Sequence, residues 1–475
     1  MNIVIVILFI FFFTNVFQLF EISGYGVTLI DFGLLLFYAL FLKQIIWDGK
    51  KLQFPIHLGL IFLALLPIAA IISGLTPLIK GSTPQMIQFL KTFAHFIFLI
   101  SFTIICALYK IDTKSWTLFV RVWIVLSIFI NLFGIYQIFA RAYDLPLAWI
   151  KFTNVSLTGR FSDDIESVQQ LSLKYGNFYR ATSIFTEPSA LASFNILIQI
   201  FLIIPFVQKT KPFIKSKIIN SLAYAFSIIT LFLCFSMTGF VGMIMLTIPI
   251  FIFHRSKRLF PFIIGLIVST LLIIGTDNLI KDFSGVSVVE LFSKRISGIL
   301  FKTQGTEGES FDVRLKSGKV GIEIWEKHFL IGAGLGLTAY NNEKGVEFGD
   351  FATTAALAEM GLIGFIAFVG MFLGLFWTTS KLMYKIRNKD DLSDEDKRWS
   401  GILFYMLIHL FLINFISGNN LVVFVLWLLI GVVFANLNQI LTKLGYKNYE
   451  IQFVKNPLKE TLYLRTKNYI KNSQL

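Results

Sequence analysis

The chain has 475 residues, of which 56% are hydrophobic and 53 are phenylalanine, and its mean hydropathy is +0.74. That composition excludes a soluble globular domain and describes a polytopic membrane protein. The formal net charge of +14 gives nucleic-acid binding no support, because in a membrane protein the excess of Lys and Arg records which loops face the cytoplasm.

The amino terminus lacks a basic segment ahead of its apolar run and lacks a small-residue cleavage site, so it reads as a retained first helix. Apolar runs long enough to cross a hydrocarbon core, which takes about 20 helical residues, occur near 2–20, 26–47, 56–74, 87–108, 116–140, 188–207, 218–236, 238–254, 260–276, 360–378, 399–417 and 420–437. The expected fold is therefore all-α: one integral membrane helix bundle over residues 1–475 with about 12 transmembrane helices. The basic short loops, from Lys50 and Lys51 to the mixed segment 381–398, fall on one side with the basic tail 438–475, and the positive-inside rule puts that side in the cytoplasm. Both termini are then cytoplasmic, and two long polar segments, 141–187 and 277–359, lie outside with short amphipathic helices. The only cysteines, Cys106 and Cys234, sit in apolar runs, which argues against a disulfide framework or a cysteine-bound metal.

On the fourth apolar run, Lys91 and His95 are four residues apart and share a helix face. Ionisable groups inside a membrane usually mark a site, although Lys91 is near enough to the outer end to snorkel. The first external segment carries Arg160, Asp163, Asp164 and Glu166, and then Arg180, Glu187 and Pro188 at the mouth of the next helix. Proline suits a first helical turn, so Glu187 can cap the helix, act as an acid in catalysis, or both. Arg160, Arg180 and Arg314 can pair with nearby acids or anchor to headgroups. Alternatively, their permanent charge and donor forks suit phosphate oxygens.

The stretch 311–364 is the polar end of the chain. Arg314, Gly318, Gly321 and Trp325 fall on one helix face, and the helix is expected to stop at Gly332-Ala333-Gly334-Leu335-Gly336, where glycine permits positive φ. His328, just before that run, is expected to be structural, in a helix-end position that favours charged imidazole. Asp350 then stands at the mouth of the next apolar helix, as its cap or as a base. The external segments have no His-Glu-x-x-His and no Asp-x-Asp, and the chain has no Walker loop or dinucleotide glycine pattern, so no metal or other cofactor is expected.

The arginine opening an amphipathic helix, the Gly-x-Gly-x-Gly turn, and Leu357-Ala-Glu-Met-Gly-Leu-Ile-Gly364 entering a membrane helix, in that order, resemble the O-antigen polymerase and ligase superfamily. The Arg180…Glu187-Pro188 junction has a similar form. The resemblance covers roughly the fifth to the tenth apolar helix and implies a membrane glycosyltransferase of the bacterial cytoplasmic membrane, acting at its outer leaflet. Its substrate would be an undecaprenyl-pyrophosphate-linked oligosaccharide repeat, polymerised into O-antigen, capsular or exopolysaccharide by a single inverting displacement. The implied roles are pyrophosphate binding by Arg314, Arg180, Arg160, Lys91 and His95, and proton acceptance by Asp350 first and Glu187 second. Ligases of the family carry His nine residues before the motif glutamate, where this chain has Asp350 before Glu359; many polymerases have an acid there. That moves the expectation from ligase to polymerase, with transfer to lipid A core or protein, and a polysaccharide flippase, as the alternatives. Partners implied are membrane lipid and a chain-length co-polymerase.

Overall fold

The computed structural model describes residues 2–22, 25–155, 170, 172, 174–175, 178–254, positions scattered between 260 and 297, and then 309–341, 352–387, 393–416, 421–452 and 463–465. The helices of the amino-terminal part are α1 (Asn2–Phe11), α2 (Leu29–Ile46), α3 (Leu58–Ser73), α4 (Leu75–Lys80), α5 (Thr83–Leu108) and α6 (Thr113–Ala142). They are followed by α7 (Pro188–Val207), α8 (Lys217–Leu233), α9 (Met237–His254), α10 (Glu309–Lys327), α11 (Ala352–Arg387), α12 (Asp394–Ile416) and α13 (Phe424–Lys443). Strands are few and short: β1 (Gln18–Ile22), β2 (Tyr25–Thr28), β3 (Leu52–Pro55), β4 (Lys174–Tyr175), β5 (Phe178–Tyr179), β6 (Asn448–Gln452) and β7 (Tyr463–Arg465).

The protein is thus mostly helical, and eight helical stretches among the described residues are long and apolar enough to cross a membrane. Two more apolar helices, Ile3–Thr14 and Lys217–Leu233, are shorter, and the run expected near 260–276 lies largely outside the described residues. The expected count of about twelve spans is therefore not reached here. Local signals explain several helix starts. The Ser82 amide donates to Gln85 Oε1 over 2.8 Å at the head of α5, and Ser216 Oγ accepts from the Ile219 amide over 3.3 Å at the head of α8. Asp31 accepts from the Thr28 amide and hydroxyl over 2.7 and 2.8 Å in the first turn of α2.

The chain divides into two compact units, Met1–Phe37 with Thr113–Gly308, and Tyr38–Asp112 with Glu309–Leu475. In the first, α1 lies against α6: the Phe9 ring stacks on Phe119 with centroids 3.9 Å apart, and Trp123 Nε1 donates to the Phe9 carbonyl over 2.9 Å. That carbonyl belongs to the last turn of α1, so the indole nitrogen, which hydrocarbon could not satisfy, finds its acceptor on the neighbouring helix. Around this contact α6 packs on α7 and α8, and α7 packs on α9.

In the second unit α3 packs along α11, closely enough that a Cβ on Gly374 would fall 2.5 Å from the Gly59 nitrogen. Small residues allow this approach, which dispersion rewards where no hydrophobic effect acts between helices. α13 is buried on nearly every face and joins α5 through Thr103 Oγ1, which donates to the Trp427 carbonyl over 2.6 Å. Part of the basic tail is ordered as strands: β6 pairs antiparallel with β3 on one side and β7 on the other, and Glu450 accepts from Gln53 Nε2 over 2.7 Å and pairs with Lys51 at 3.3 Å.

Candidate functional site

The two motifs of the 311–364 stretch are built into one another within the second unit. α11 is broken at Gly361, which adopts φ 64° and ψ −164°. A continuous helix would bond the Leu362 and Ile363 amides to the Ala358 and Glu359 carbonyls; the break releases all four groups. The chain after α10 takes them up. Ala333 N donates to Ala358 O over 2.9 Å and Gly334 N to Glu359 O over 3.0 Å, while Leu362 N and Ile363 N donate to Phe329 O and Leu330 O over 2.9 and 3.3 Å. Gly332, Gly334 and Gly336 have φ of 79°, 109° and 76°, as the glycine run leads one to expect. A side chain on Gly332 would place Cβ 2.3 Å from the Glu359 carbonyl oxygen. α10 itself ends at Lys327, one turn earlier than the glycines suggested. Val320 and Ile324 on its inner face share a buried cluster with Ala333 and Ala358.

This lock also buries an acid. Glu359 is only 9% exposed and its carboxylate accepts from Thr338 Oγ1. From the other side, Thr76 Oγ1 donates to the Gly332 carbonyl over 2.6 Å, and Gly336 abuts Thr92, between Lys91 and His95 on α5. The glycine loop therefore rests on α4 and on the third turn of α5. Lys91 there is exposed and His95 half-buried. The α2 segment Tyr38–Leu42 and one face of α5, from Leu90 to Ile105, line an open apolar groove of about 740 Å³. Lys91 is next in sequence to Leu90, one of the residues that line the groove. His328 departs from expectation: partial burial first, then the charges of Lys80 and Lys327, push its imidazole below the ordinary value. Burial and, after it, the neighbouring cations outweigh the helix-end dipole, whose influence falls off within one turn.

In the first unit, the end of α6 organises the loop that follows it. Arg141, 4% exposed, donates through Nε to Ala148 O over 2.9 Å and through Nη1 to Arg180 O over 2.7 Å. Its Nη2 reaches Gln170 Oε1 at 2.6 Å and Thr182 Oγ1 at 2.5 Å, and the guanidinium carbon stands 4.1 Å from the centroid of Trp149. Gln170 in turn donates to the carbonyls of Ser183 and Phe185 over 2.5 and 2.8 Å. The segment carrying Arg180 and leading to Glu187 is thereby held through the carbonyls of Arg180, Ser183 and Phe185 and through the Thr182 hydroxyl. Glu187 occupies the cap position of α7 with extended backbone, φ −147° and ψ 159°, and its carboxylate makes no capping hydrogen bond. Pro188 in the first turn and the backbone geometry account for the helix start without it.

Among the expected site residues, Lys91 and His95 lie beside the glycine loop in the second unit, and Arg180 and Glu187 share the Arg141-fastened loop in the first. Arg314 lies in α10, of which only the backbone is described at that position; Asp350 and Arg160, with Asp163, Asp164 and Glu166, lie outside the described residues. Arg141, Gln170 and Thr338 were not singled out by sequence. Arg141 carried one usable signal, a charge at the very end of an apolar run, whereas Gln170 and Thr338 are ordinary loop residues whose partners are 29 and 21 positions away. Neither a family model nor a curated protein matches this chain.

Proposed function

We propose that this protein is a membrane glycosyltransferase that polymerises undecaprenyl-pyrophosphate-linked oligosaccharide repeats at the outer leaflet of a bacterial cytoplasmic membrane. The observation that carries the reading is the apolar groove along α5, with the exposed Lys91 next in sequence to the lining residue Leu90 and the glycine loop seated at Thr92. The fifteen-residue rise from Leu90 to Ile105 makes the groove about 22 Å long, which suits a prenyl tail lying across one leaflet and leaves its phosphates beside Lys91 and His95. A polar tip over an apolar slot is the arrangement that an amphiphilic donor requires.

On this reading Arg314 and Arg180 bind phosphate oxygens in their respective units, with Arg160 assisting, and the positive charge stabilises the pyrophosphate as the C1–oxygen bond of the sugar breaks. Asp350, or failing it Glu187, takes the proton of the attacking hydroxyl on a second lipid-linked repeat. That Glu187 makes no capping bond supports keeping it as the second candidate.

The decisive experiment incubates the purified protein in liposomes with an undecaprenyl-pyrophosphate-linked repeat, without nucleotide and with a chelator. A ladder of glycan lengths is the expected product. Transfer only when lipid A core or a protein acceptor is supplied would replace polymerase with ligase; lipid movement across the bilayer with no transfer would replace both with a transporter.

A further inference from the structure

Where α6, α7 and α8 meet in the first unit, hydrocarbon-depth positions are filled by amides. Asn131 on α6 and Asn195 on α7 are both 0% exposed, and neither the nitrogen nor the oxygen of either side chain has a protein partner. Gln199, also 0% exposed, donates to Ser227 Oγ on α8 while its Oε1 has none. The three lie close together along the helices. α7 and α8 run in opposite directions, so one turn from the Gln199–Ser227 contact towards the head of α7 is Asn195, and one turn towards the end of α8 is Thr230. Thr230 Oγ1 is 3.5 Å from the Asn131 carbonyl, and Thr230, Ser183 and Leu191 all surround Gly134 one turn along α6. Ser183 Oγ donates to Ile130 O over 2.6 Å, and its own carbonyl accepts from Gln170, which continues the polar seam up to Arg141.

Five amide atoms at this depth, two donors and three acceptors, are too costly to leave bare in a membrane, where no bulk solvent reaches them. We propose that the α6–α7–α8 junction is an internal water-binding site, in which ordered water bridges Asn131, Asn195 and Gln199 beneath the loop fastened by Arg141. Water fits because each molecule needs two to four polar partners of mixed sign, and the unpartnered atoms offer both signs. The groups at the α6–α7–α8 junction are amides and hydroxyls, with the Arg141 guanidinium at the far end of the seam, and the carboxylates that a bound cation prefers are not among them. This site is independent of the glycosyltransferase reading.

X-ray radiolytic labelling of the whole protein in lipid nanodiscs, read by mass spectrometry, tests it, because hydroxyl radicals form at bound water and modify the side chains touching it. Leu191 is expected to be modified measurably faster than Leu8, a side chain of the same chemistry outside the seam; both are 0% exposed. Asn195→Leu is expected to abolish that excess and to lower the melting temperature, since it strands the remaining amides. Equal labelling of Leu191 and Leu8 in the unaltered protein overturns the proposal. So does a melting temperature that Asn195→Leu raises or leaves unchanged, the result for a dry, unpaired amide replaced by a hydrocarbon.

Discussion

Arg141 directs its donors to neutral oxygens, with hydrogen bonds to Ala148, Arg180, Gln170 and Thr182 and a tryptophan ring at 4.1 Å. A guanidinium does this better than an ammonium because its planar fork faces several acceptors at once. Arg141→Lys should therefore destabilise the protein by about 2 kcal/mol, the worth of one or two lost hydrogen bonds to a charged group, seen as a lower melting temperature in detergent. Equal stability would show that the loop holds itself. The same logic separates Glu359 from a surface acid. Glu359→Ala leaves Thr338 Oγ1 without its acceptor and should cost about 1–3 kcal/mol, whereas Glu359→Gln keeps an acceptor oxygen and should cost less. If both cost the same, charge and not the hydrogen bond holds Glu359 in place.

The broken helix α11 shows how a short motif acts through backbone groups. Gly361 combines positive φ with a neighbour that forbids a side chain, since its Cβ would lie 2.4 Å from the Leu330 carbonyl. Gly445 has a similar φ of 81° but nothing within 4 Å. Gly445→Ala should then cost only the backbone penalty of about 1 kcal/mol, while Gly361→Ala adds the clash and loosens the exchange with Phe329, Leu330, Ala333 and Gly334. Thermal melts that rank the two substitutions equally would mean that the loop and α11 are not locked as described. The Leu357–Gly364 motif was legible in sequence as an element boundary, but its role as one half of a four-bond exchange was not.

For the proposed polymerase reading, the arginine expectation is tested one residue at a time: Arg314→Ala and Arg180→Ala should each abolish polymer while leaving protein in the membrane, and Lys at either position should rescue poorly. Wild-type ladders from both variants would remove phosphate binding by these residues from the mechanism, and full activity of Asp350→Asn would leave that residue as a helix cap. The amino-acid sequence alone determined the membrane class and most helix spans, because hydrophobicity and backbone propensity are summed over contiguous residues and need no knowledge of distant chain. It also marked Lys91, Arg180, Glu187 and the glycine run, where charge or positive φ is unusual in its surroundings. The tertiary structure alone decided the rest: that the glycine loop docks on α11 and α5, that Arg141 and Gln170 clamp a loop from residues 29 apart, and that three amides share one junction at hydrocarbon depth. Hydrogen-bond partners are selected by which distant segments are brought within about 3 Å, and that selection is made by packing, to which no local pattern in the chain corresponds.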